Sequence, residues 1–194
     1  MSLKEKGLGN SLVPLPRFVF LEKQAEQVKA LPGAVAEIGV YLGGTAKLLA
    51  ATLVDKDIHL FDTFEGMPEV SKWDKHKKGD FVHASATLDR VKGYLSAYDN
   101  VHFYKGVFPE TAEDLVENTF CLVHVDVDIY EATKAACEFF WPLLVEGGIM
   151  VFDDYNGPRT PGTNKAVNEF FAGVAEIEKR PSKKHGGTRV VKNG

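Results

Sequence analysis

The chain has 194 residues, 44% hydrophobic and 26% charged, with a net charge of −4. This balance suits one globular domain and excludes a disordered or fibrous chain; nucleic acid is not an expected partner, since only Lys72–Lys78 and Lys179–Lys184 are locally basic. No apolar run approaches the ~20 residues of a membrane span and MSLKEKGLGN lacks a signal peptide's apolar stretch, so no membrane is expected and the default location is cytoplasmic.

Residues 1–16 read as loop, and Arg17–Leu31 has helical periodicity that stops at Pro32-Gly33. A strand at Ala34–Ile38, a glycine turn at Gly39–Gly44 and a helix at Thr45–Leu53 follow. The next strand, Ile58–Phe61, ends in Asp62, and Glu65 to about Asp80 forms an irregular excursion. Then come a helix at Thr87–Tyr98, a strand at Val101–Tyr104, a short helix at Pro109–Asn118 and a strand at Cys121–Val125. A helix at Tyr130–Leu144, a strand at Ile149–Phe152, a loop at Tyr155–Gly162 and a helix at Asn164–Phe171 continue the alternation. Two strands near Ala175–Lys179 and Thr188–Lys192, joined through His185-Gly186-Gly187, close the chain. The pattern predicts an α/β fold, a mostly parallel sheet with helices on both faces and an antiparallel closing hairpin. It is read as a single domain over 1–194, with 1–33 an N-terminal extension and helix and 34–194 the α/β core. Cys121 and Cys137 are expected to be small buried hydrophobes rather than a disulfide.

The chemistry concentrates where buried strands end. Asp126 and Asp128 follow the strand at Cys121–Val125, and Asp153 and Asp154 follow Ile149–Phe152. Carboxyl ends of parallel strands border the usual ligand crevice, and four acids gathered there would repel one another, so a cation is their natural partner. Hard oxygen donors favour Mg²⁺ over a thiophilic metal. The bland alternative is capping: Asp128 for the helix at Tyr130, Asp154 in an Asx-turn. The turn Gly39-Val40-Tyr41-Leu42-Gly43-Gly44 departs from G-x-G-x-x-G, because Tyr41 stands where the second glycine belongs, which disfavours a dinucleotide. Asp62 lies 23 residues after Gly39, the place of an acid that accepts ribose hydroxyls. His83, in the excursion, and His124 are further base candidates. His124 is read as facing away from Asp126 and as a satisfied core residue. Glu131 and Lys134 read as solvated or structural, and Phe139, Phe140 and Trp141 as core or interface aromatics.

Taken together, EIGVYLGGT, FDTFEGMPE, GVFPET, HVDVDIYEATK and FDDYNGPRTPG resemble the macrocin O-methyltransferase family of class I S-adenosylmethionine-dependent methyltransferases, over about Val35 to Phe171. The resemblance implies a seven-stranded, Rossmann-like sheet with an antiparallel last strand. It implies that Glu37 and the glycine turn, with Gly39, Tyr41, Gly43 and Thr45, hold the methionine portion of S-adenosylmethionine, and that Asp62 and Thr63 hold the ribose. Asp126, Asp153 and Asp154 match metal ligands, Asp126 also bordering the cofactor, and Asp128 matches the position of a general base; on the reading of the residues alone, His83 or solvent could take the proton instead. The implied reaction is Mg²⁺-assisted methylation of a small-molecule hydroxyl acceptor, a sugar or nucleotide-sugar ahead of a phenol. Relatives acting on glycosylated antibiotics carry a longer N-terminal lid than the about 34 residues before the first strand here, which weighs against a bulky macrolide.

Two other readings stand beside this one. A metal-dependent hydrolase would use the acids on an unrelated α/β fold, although neither a G-x-S-x-G elbow nor H-E-x-x-H is present. A non-catalytic domain binding S-adenosylmethionine or a nucleotide would keep the pocket alone. The aromatic stretch at 139–144 and the first helix leave a homodimer open.

Overall fold

A computed structural model of the chain describes residues 1–174, 177–179 and 187–192. A 3₁₀ turn at Leu8–Asn10 precedes helix α1 (Leu15–Val28), β1 (Ala34–Ile38), α2 (Gly44–Thr52) and β2 (Ile58–Asp62). After the excursion come α3 (Leu88–Tyr94), β3 (Val101–Lys105), a 3₁₀ stretch at Glu110–Leu115 and β4 (Phe120–Val125). The remaining elements are α4 (Tyr130–Leu143), β5 (Leu144–Phe152), α5 (Pro161–Phe170), β6 (Ile177–Lys179) and β7 (Thr188–Val191). The strands form one sheet in the order β3-β2-β1-β4-β5-β7-β6. Pairs among β1–β5 are parallel, and β7 runs antiparallel to both its neighbours. The expected strand start at Ala175 and the turn residues His185 and Gly186 lie outside the described residues.

α1 and α5 start two and three residues earlier than expected, and three other elements differ more. α3 stops at Tyr94 rather than Tyr98, with the poor helix former Gly93 in its last turn, and Pro109–Asn118 contains only the 3₁₀ stretch. β5 begins five residues before Ile149 because the chain turns extended directly at Leu144, two residues after Pro142.

Alternation along the strands divides the core. On one face Phe18 and Leu21 of α1 and Leu48 and Leu49 of α2 pack on Val35, Leu122 and Val151. On the other, Phe140 of α4 and Val167 of α5 meet Ala36, Val123, Val125 and Phe152. Strand order reverses between β1 and β4, the point where two loops diverge and leave a crevice. There the backbones nearly touch: Asp126 N donates to Ile38 O at 2.9 Å, and Gly39 sits at φ +88° with its missing Cβ position 1.9 Å from the Asp126 carbonyl oxygen. Only glycine lets β1 leave the sheet this close to Asp126. Gly39→Ala is expected to lower unfolding stability by about 2 kcal/mol or more, read from urea denaturation.

Candidate active site

The loops that follow β1 to β5 open onto one cavity, to which Asn10–Val13 and Arg17 add a further wall. Of the residues singled out in the sequence, Gly39, Tyr41, Thr45, Asp62, Thr63, Asp126, Asp128, Asp153 and Asp154 line it. Asp62 is committed mainly to the glycine turn. Its Oδ2 accepts from Val40 N at 2.7 Å and Tyr41 N at 2.9 Å, and its Oδ1 accepts from Phe64 N at 2.7 Å. Oδ1 also lies 3.5 Å from Thr63 Oγ1, whose hydroxyl donates to Gly66 O at 2.6 Å, so Oδ1 is already approached by two donor groups. Gly43 does not line the cavity: at φ +80° it is the residue just before α2, and its missing Cβ points at Val91, Tyr94 and Leu95.

The acids behave as a group. Asp126, Asp153 and Asp154 each place one oxygen within 4.8 Å of the others. Burial, reinforced by Asp153, pushes the Asp126 carboxyl well above the usual carboxylate range; burial and Asp128 do the same to Asp154. A convergent, mutually repelling set of hard oxygens fits a divalent cation such as Mg²⁺. Capping does not account for it. No side chain of its own segment caps α4; Asp74 Oδ1, from the excursion, accepts Tyr130 N at 2.8 Å. Asp154 Oδ2 instead accepts Asp128 N at 3.1 Å, and Asp128 is held at φ +62°, unusual for a residue with a side chain. Burial raises the Asp128 carboxyl as well.

Glu37 and His124 are placed otherwise than expected. Glu37 is fully buried beneath the cavity rather than on it, its Oε1 2.8 Å from His124 Nδ1. His124 does not face away from Asp126: residues two apart on a strand share a face, and its Nε2 lies 4.0 Å from Asp153 Oδ1, under the acids. At that separation Nε2 has a charge interaction but no hydrogen bond. Burial disfavours the His124 cation, yet Asp153 and Glu37 outweigh it and push the pKa up to about 10.

His83 stands exposed outside the cavity lining, its ring 6.0 Å from that of Tyr41 and its Nδ1 accepting Ser85 N at 3.1 Å. The excursion instead sends His76 inward, buried, with Nδ1 3.0 Å from Asp80 Oδ2 and Nε2 3.7 Å from Asp128 Oδ1. Arg17, treated in the sequence only as a helix start, reaches the acids too, its Nη1 2.5 Å from Asp153 Oδ2. Neither residue carries a spacing signal. Both are joined to the site only by the folded chain.

A family model described as Macrocin-O-methyltransferase (TylF) matches residues 6–179. The chain belongs to the macrocin O-methyltransferase family. Within and around that family it is 30% identical over 166 residues to the 8-demethyl-8-(2,3-dimethoxy-alpha-L-rhamnosyl)-tetracenomycin-C 4'-O-methyltransferase of Streptomyces olivaceus, covering 76% of this chain and 63% of that protein. It is 28% identical over 157 residues to the mycinamicin III 3''-O-methyltransferase of Micromonospora griseorubida, covering 72% and 61%. The chain thus spans about three fifths of the length of these relatives. Among solved structures, a calicheamicin methyltransferase aligns with a TM-score of 0.81 at 23% identity, over 97% of this chain and 89% of that one. The O-methyltransferase NovP aligns at 0.76 and 22% identity, over 100% and 89%. These likenesses show the Rossmann-like, class I methyltransferase fold. No helix among the described residues is long and apolar enough to cross a membrane.

The buried pair yields a stability test. The His124 pKa of about 10 lies above the unfolded value of 6.5, so its stabilisation is complete below pH 6.5 and is lost as pH rises through 10. In EDTA, His124→Leu should unfold with a deficit of about 3–5 kcal/mol near pH 6, because removing one partner leaves Glu37 buried and unpaired. Urea titrations repeated toward pH 10 should show that deficit narrowing.

Proposed function

We propose that the chain is an S-adenosylmethionine-dependent O-methyltransferase, assisted by a divalent cation, that methylates a hydroxyl of a sugar, a nucleotide-sugar or another small natural-product-like molecule. One observation carries the reading: a glycine turn clamped by Asp62 and a convergent trio of acids share a single cavity. The family supports it, as do the two relatives, both named as O-methyltransferases, one of them of a rhamnosyl-tetracenomycin.

In this reading the turn over Gly39–Thr45 receives the methionine end of the donor, while Asp62 and the neighbouring Thr63 face the ribose. Glu37 supports the site from beneath through His124 instead of touching the donor. Asp126, Asp153 and Asp154 would hold Mg²⁺. When bound, such an ion supplies Lewis acidity toward the acceptor hydroxyl and fixes its orientation. The acceptor oxygen attacks the donor methyl carbon in line, the sulfur–methyl bond breaks, and sulfur leaves with that bonding pair as a neutral thioether. Asp128 takes the hydroxyl proton on its carboxylate; burial lifts its pKa toward the working range of a general base. Alignment contributes most, since the sulfonium methyl is already activated.

Asn10, Leu12 and Val13 line the same cavity as the core loops, which supports treating residues 1–33 as part of one domain. The acceptor, on this view, is a free small molecule handled without nucleic acid or membrane.

Calorimetric titration with S-adenosylhomocysteine should give saturable binding; absence of binding would end the proposal. Asp154→Asn should lower transfer of labelled methyl to a panel of sugars and phenols by about 100-fold or more, comparable to the loss of one preorganised electrostatic group. Its affinity for S-adenosylhomocysteine should stay within about threefold of the parent, the pattern of an interaction made chiefly in the transition state. EDTA should abolish transfer by the parent chain and leave that affinity in place.

A further inference from the structure

Arg17 leaves the first turn of α1 and ends between the two acids that follow β5. Its Nη1 lies 2.5 Å from Asp153 Oδ2, donates to the Asp153 carbonyl oxygen at 2.6 Å and stands 3.7 Å from Asp154 Oδ1. A single nitrogen therefore donates to the Asp153 carbonyl and stands within ion-pair distance of one carboxylate oxygen on each of two consecutive residues. We propose that Arg17 is a resident counter-cation of the acid site, which holds Asp153 and Asp154 in place without a metal and, by its fixed charge, sets how weakly a divalent cation binds there. This role rests on the preceding reading, that the acids take such an ion.

The guanidinium cannot discharge, because arginine stays protonated in proteins. It also has little room to move away: its side chain is only 17% exposed, and Phe18, Leu21 and Ala25 bury the α1 face against the sheet. The oxygens are already divided. Asp153 Oδ2 belongs to Arg17, Asp154 Oδ2 to the Asp128 amide, and Asp153 Oδ1 faces His124 Nε2 at 4.0 Å. A divalent ion entering among Asp126, Asp153 and Asp154 thus finds oxygens arranged in advance and a like charge a few ångströms away. In a poorly hydrated site that repulsion is larger than the geometric gain of having the acids held. The metal-free site is stabilised and the ion is kept exchangeable. Arg17 is a positioning residue here, acting through Asp153 and Asp154.

Binding of Mn²⁺ alone, followed by electron paramagnetic resonance on the full chain after chelator treatment, tests this. Arg17→Gln removes the charge and, being the shorter side chain, also the bond to the Asp153 carbonyl; Arg17→Lys keeps the charge without the planar fork. The glutamine chain should bind Mn²⁺ about tenfold or more tightly than the parent. Its thermal midpoint should fall in EDTA and recover with Mn²⁺, a dependence that a purely structural role would not produce. The lysine chain should bind within about threefold of the parent, since the charge carries the effect. Equal or weaker binding by the glutamine chain, or a thermal deficit identical with and without Mn²⁺, overturns the proposal. Should the glutamine chain not fold, the lysine chain decides: affinity near the parent's supports the role, and a tenfold change in either direction overturns it. If the parent binds no Mn²⁺ while still binding S-adenosylhomocysteine, the divalent-cation reading itself falls and the role of Arg17 falls with it.

Discussion

Repulsion among carboxylates is the constraint around which this cavity is arranged. Asp126, Asp153 and Asp154 each bring an oxygen within 4.8 Å of the others in a setting where Asp153 is 1% exposed and Asp154 7%. Uncompensated, such a group would protonate or splay apart. Here positive charge meets it from two sides. Arg17 approaches from the N-terminal helix, and His124, paired with Glu37, approaches from within the sheet. A divalent ion would be a third compensating charge, and its affinity would depend on how much work the first two already do.

Backbone geometry brings the acids together. Parallel pairing sets Val125 beside Phe152, so Asp126 and Asp153 leave the sheet side by side, and Asp153 N donates to Val125 O at 3.0 Å. Across the crevice, Gly39 lets β1 pass against Asp126 with no side chain between them. The glycine turn and the acid site consequently share one wall. Asp62 completes that wall by tying the second strand end to the turn amides.

Two segments outside the core finish the enclosure. The N-terminal stretch supplies Asn10, Leu12 and Val13 to the lining, and the close pass of Gly7 and Asn10 over Gly44 fixes it on the start of α2. The excursion after β2 contributes Asp74, which caps α4, and His76, which faces Asp128. Asp74 also packs where a side chain at position 162 would stand, its Oδ1 1.9 Å from the Cβ site of Gly162. These contacts couple the loop to the same helix start that follows the acids.

The sequence alone determined the alternating α/β order, the glycine turn, Asp62 at the tip of β2 and the acid pairs after β4 and β5. Each is a local signal, a period of two or 3.6 residues ended by a glycine or an acid, and such signals survive without knowing what packs where. The tertiary structure alone decided which side chains share a charge environment. Residue 17 meets residue 153 because α1 lies across the sheet; His76 reaches Asp128 because the excursion folds inward while His83, seven residues later, faces out. The same holds for Glu37, which the family resemblance places at the cofactor and packing places beneath the cavity, where His124 is its partner. Coulomb energy depends on distance through space, and for these pairs that distance is set by how helix and loop pack on the sheet, information that no short window of residues contains.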